Sequence, residues 1–122
     1  MKLRILAAVP VAIAIVGPAS AHHSFAMFDN QKELTLEGVI KEFQWTNPHT
    51  WTQVLVKDKS GKEVEWSIEG GSPNSLTRSG WKRTSIKAGD KATVLIHPLK
   101  DGSPGGSMMT IWVNGQKVGG ER

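Results

Sequence analysis

Several segments between Leu34 and Val113 place apolar residues at every second position, and no long stretch places them at helical spacing. Strands are therefore the main regular element this chain can form. Residues 63–69 carry the pattern most cleanly. Val64, Trp66 and Ile68 fall on one parity, and Glu63, Glu65, Ser67 and Glu69 on the other. Such alternation makes a strand with one dry face and one solvated face, so the four polar residues read as surface.

The same reading gives four more strands. The first runs from Leu34 to Trp45. Its apolar parity changes from Leu36 to Val39, Phe43 and Trp45, and Gly38 is the expected site of a bulge or bend. The second spans Thr50–Lys57 and turns at Asp58-Lys59-Ser60-Gly61 into the third, 63–69. Gly70-Gly71 ends that strand. Ser72 then offers an N-cap and Pro73 a first helical position, so a short helix is predicted from Pro73 to Ser79, stopping at Gly80. Trp81 is expected to plug the core behind it. Strands four and five are predicted at Lys91–His97 and Ser107–Val113, joined by a Pro-, Gly- and Ser-rich loop over 98–106. The order β-β-β-α-β-β is that of a mainly β, small five-stranded OB-like barrel with one short helix between strands three and four. A small open β-sandwich is the alternative.

The first 21 residues are expected to lie outside this domain. Lys2 and Arg4 precede a 12-residue apolar run, Ile5–Val16, and Ala19-Ser20-Ala21 has the small-x-small form of a signal-peptidase site. The run is too short to span a bilayer, and Pro10 interrupts it. Cleavage after Ala21 is therefore expected, with a periplasmic or secreted mature chain and no transmembrane span. Removing 21 of 122 residues leaves 101, which is enough for one modest core. The expected division is a signal peptide over 1–21, a lead-in over 22–33, one domain over 34–118 and a frayed tail over 119–122. Lys2 and Arg4 leave with the signal, so 13 basic residues face 11 acidic ones. That near balance, with an extracytoplasmic address, speaks against nucleic acid as a partner. The chain has no cysteine, so thiolate metal sites and disulfides are excluded and packing alone must hold the fold.

Several motifs together carry a resemblance. They are the mature start His22-His23-Ser24-Phe25, the segment Trp45-Thr46-Asn47-Pro48-His49, Gly71-Ser72-Pro73-Asn74 with Leu76, Gly80-Trp81, and Gly89-Asp90. In these the chain resembles a family of short exported bacterial proteins of unknown function. The resemblance implies a periplasmic location and a single intact domain, and it implies no reaction.

The residues themselves offer one chemical lead. Cleavage after Ala21 frees the α-amine of His22, and that amine with the ring Nδ1 closes a chelate on a metal ion. Both groups deprotonate readily near neutral pH. His23 adds an imidazole. His49 and His97 sit in or beside the loops after strands one and four, which lie on the same face of an OB-type barrel. The predicted metal residues are thus His22, His23, His49 and His97, and nitrogen ligands of this kind favour copper, then nickel or zinc. Met27, Met108 and Met109 would suit Cu(I), or simply fill the core.

Other classes stay open. A redox enzyme built on a histidine brace has only ligand identity in its favour, and no Ser-His-Asp pattern stands out, so no catalytic residue is assigned. Trp45 and Trp51 flank the first barrel loop and are the predicted ligand-binding residues of a small-ligand module. Core packing is the plainer reading of both. The third class is an accessory protein that docks to a periplasmic partner, with Lys82 and Arg83 beside Trp81 as candidate contacts.

Overall fold

The computed structural model describes residues 25–119. The expected signal segment, His22 and His23 lie outside them. Six strands and one short helix form in chain order: β1 (Leu34–Gln44), β2 (Trp51–Lys57), β3 (Glu63–Glu69), α1 (Pro73–Arg78), β4 (Lys91–Pro98), β5 (Gly105–Val113) and β6 (Gln116–Lys117). The first five strands match the expected ones to within two residues at each end. β6 was not foreseen: Asn114-Gly115, both at positive φ, turn the chain back for two residues against β5. The loop between β4 and β5 is shorter than composition implied, because Pro98, Gly105 and Gly106 belong to the strands.

β1 is the strand on which the barrel depends. Its first half pairs with β4 (Leu34↔Ile96 to Val39↔Lys91), and its second half pairs with β2 (Val39↔Leu55 to Gln44↔Trp51). A strand can serve two partners in this way only if it coils sharply in the middle. Gly38 stands at that point, where a Cβ would overlap the carbonyl oxygen of Leu55. The expected parity switch at Gly38 is corrected by the register. Leu36 and Ile40 both face inward, and the extra residue is Lys41, between Ile40 and Glu42. That bulge brings Phe43 and Trp45 round to the core side.

β2 pairs antiparallel with β3, and β4 with β5. The barrel closes through a short parallel seam between β3 and β5, Ser67↔Gly105 to Glu69↔Ser107. The circuit β1-β2-β3-β5-β4-β1, with a helix between β3 and β4, is the OB-type order rather than the sandwich. Inside it Ile40, Val54, Ile68, Val94, Ile96 and Ile111 are essentially fully buried. Each contributes on the order of 1.5–3 kcal/mol by leaving water. α1 is capped as expected, Ser72 Oγ accepting from Ser75 N at 3.2 Å, and Gly80 ends it at φ +87. Trp81 turns back as the plug, with its indole against Phe43. No helix among the described residues is long and apolar enough to cross a membrane.

Candidate functional site

The cross-strand register aligns His97 of β4 with Ser107 of β5, Ser107 with Glu69 of β3, and Glu69 with Trp51 of β2. Their neighbours Ile96, Ile68 and Thr52 point into the barrel, so this row lies on its outer surface. Two glycines make the row compact at the seam. At Gly106 a Cβ would collide with the His97 carbonyl oxygen at 2.5 Å, and at Gly105 with the Leu99 side chain at 2.9 Å.

The lead-in lies across one end of this face. Phe25–Met27 form one 3-10 turn, and Phe28 bridges Leu99. Lys100 N donates to the Met27 carbonyl oxygen at 2.9 Å, and Asp29 N donates to that of Pro98 at 2.8 Å. His97 secures the same segment: its Nδ1–H donates to the Lys32 carbonyl oxygen at 2.8 Å. Under the lead-in is a cavity of about 100 Å³. Its walls are Met27, Phe28, Trp51, Leu99 and Pro104, with Ser67, Gly105, Gly106 and Glu69, and Glu69 is the one ionisable residue among them.

Glu69 corrects the strand reading. Parity assigns it to solvent, yet it is 9% exposed. The lead-in, Trp51 of β2 and the β4–β5 loop cover that end of β3. One carboxyl oxygen, Oε1, is 3.5 Å from His49 Nδ1. The other, Oε2, is buried with no hydrogen-bond partner. A buried polar atom left unsatisfied costs about 1–3 kcal/mol, more when charged, so its retention calls for a use.

His49 is held beside Glu69 by the backbone. Thr50 and Gly70 clasp the two strand ends: Gly70 N donates to the Thr50 carbonyl, and Thr50 N and Oγ1 both donate to that of Gly71. Thr46 Oγ1 closes the loop by donating to the His49 carbonyl at 2.8 Å, and the Asn47-Pro48 bond within it is cis. His49 Nδ1 also faces the Gly70 carbonyl oxygen at 3.3 Å. With two acceptors before it, Nδ1 is the ring nitrogen that donates. His97 likewise donates from Nδ1, to the Lys32 carbonyl oxygen.

The sequence-predicted residues separate accordingly. His49 and Trp51 meet Glu69, whereas His97 stands three inter-strand steps from Trp51, roughly 14 Å along the sheet at the usual strand spacing. Among the described residues no three His, Asp or Glu side chains gather as a metal site. Trp45 is half-buried, edge-on to Phe43 and packed on the core, while Trp51 lines the cavity. Met27 lines it too. Met108 packs on the core, and Met109 is the extra residue where the β4–β5 register slips. Lys82 and Arg83 are exposed beside the buried Trp81. A larger groove of about 470 Å³ lies elsewhere, walled by Val39, Leu55 and Trp112, but it holds no buried polar group lacking a partner. Sequence reasoning missed Glu69, and the one available signal was its position against the Gly70-Gly71 break.

This barrel order and its helix define an OB-fold protein. The chain belongs to DUF6152, a family of unknown function, whose sequence profile matches residues 11–108. No curated protein matches it. Among solved structures it is similar to the mitochondrial single-stranded DNA-binding protein Rim1 of S. cerevisiae. One crystal form gives 10% identity and a TM-score of 0.52 over 70% of this chain and 95% of that one. A second form gives 12% and 0.49 over 75% and 98%. At such identity the likeness is one of fold.

Proposed function

We propose that this is an exported metal-binding protein, with copper as its ion, and that the mature N-terminus is the core of the site. The amine and ring of His22 form the chelate, His23 lies beside it, and His49 supplies a further imidazole. The observation that supports this reading is the disposition of His49. Its Nδ1 faces the Gly70 carbonyl and Glu69. Metal-ligating histidines are oriented by just such a carbonyl or carboxylate at the other ring nitrogen. The docked lead-in makes the rest feasible. His22 precedes Phe25 by three residues, at most about 11 Å of extended chain, and Met27 already lines the cavity beside Glu69. His97, clamped to Lys32, serves to fix the lead-in and is the reserve ligand.

The test is a Cu(II) titration, followed by calorimetry and EPR, of the mature chain beginning at His22. A second sample has the α-amine of His22 acetylated, which destroys the terminal chelate. Tight one-to-one binding that acetylation abolishes and His49→Ala weakens at least tenfold supports the reading. Weak binding indifferent to acetylation overturns it. Equal weakening by His97→Ala and not by His49→Ala would move the third ligand to β4.

A second reading, a small-ligand module, is favoured by one observation: Trp51 lines the cavity while Trp45 is committed to the core.

A further inference from the structure

We infer that the cavity beneath the lead-in is a binding site for a small organic ammonium ion, with the Glu69 carboxylate as its anionic anchor. The inference rests on Glu69 and the cavity walls; a free amine there is independent of copper at His22, whereas the chain's own α-ammonium would compete with the copper chelate for the same nitrogen. Glu69 is 9% exposed, its Oε2 has no partner, and it is the one ionisable group lining an otherwise largely apolar pocket. A carboxylate so placed is satisfied by a cation that brings its own apolar surface. An inorganic ion would need several further oxygen or nitrogen ligands, and no such group is gathered there among the described residues. An alkylammonium needs only the carboxylate for its N–H donors and an apolar wall for its carbons, and Phe28 and Leu99 supply that wall. Trp51 adds an aromatic ring, whose face attracts cations. Ser67 is the remaining side chain with a hydroxyl to offer. The volume of about 100 Å³ corresponds to roughly three waters, so the ligand is of ethylammonium or propylammonium size.

Two sources share this chemistry: a free amine, and the α-ammonium of the mature chain itself. The experiment titrates ethylammonium into the mature protein and into the same chain with its terminal amine acetylated, reading amide and indole shifts by NMR. Ethanol and potassium chloride at equal concentration are the controls. Saturable shifts centred on Trp51, Glu69 and Gly106, at least tenfold weaker in Glu69→Gln, are the expected result. If the acetylated chain binds at least tenfold more tightly than the free one, the chain's own amine is the natural occupant; equal affinities assign the site to a free amine. Ethanol binding as well as ethylammonium, or Glu69→Gln binding unchanged, overturns the inference. Should Glu69→Gln fail to fold, the wild-type comparison decides: ethylammonium must exceed both controls at those three residues by at least tenfold.

Discussion

Asp58 and Glu69 are two carboxylates with opposite treatment by their surroundings. Asp58 is exposed at the β2–β3 turn, and its Oδ1 accepts from Ser60 Oγ at 2.6 Å, Ser60 N at 2.8 Å and Lys62 N at 3.0 Å. The Ser60 hydroxyl first, then the Lys62 amide, hold its carboxyl below the ordinary value of 3.8. A depressed carboxyl stabilises the fold above its unfolded-state value, and that contribution is lost as pH falls through the lower folded value. Wild type should therefore lose stability below pH 4 relative to Asp58→Asn, with the difference constant from pH 5 to 7. Denaturation at stepped pH checks this. Glu69, by contrast, keeps one carboxyl oxygen buried without a hydrogen-bond partner. Asp58 was legible in the sequence because its partners are two and four residues away. Glu69 was not, because the groups that cover it come from β2, from the β4–β5 loop and from the lead-in, brought there by folding.

Elements were legible wherever the pattern was local. The alternation of β3, the Ser72-Pro73 start and Gly80 stop of α1, and the turn at Gly61 are all decided within a few residues. The bulge in β1 was misplaced because Gly38 and Lys41 do different jobs three residues apart. Gly38 permits the coil and Lys41 takes the extra position. Gly38→Ala should thus destabilise by about 2–3 kcal/mol, the cost of forcing a side chain into a filled space. Lys41→Ala should leave stability nearly unchanged, since its pair with Glu65 at 2.6 Å is exposed at both ends. Urea unfolding of both variants separates the two roles.

On the scale of the molecule, closure depends on the parallel β3–β5 seam and the core behind it. Ile68 and Ile111, on the two strands of that seam, are fully buried, so either one changed to Ala should cost about 3–4 kcal/mol. Melting should remain a single transition, because every strand of the circuit shares this core. Calorimetry would report it.

By itself the sequence determined that this would be a small β domain with one capped helix in the OB order, because strand alternation, caps and turn residues act over a few positions. Only the tertiary structure decided which outward-facing residues leave solvent. The Glu69 cavity, the meeting of His49 with that carboxyl and the parting of His49 from His97 follow from strand register and from the lead-in folded over the seam. These are long-range pairings, and their free energy appears only when distant segments are brought together.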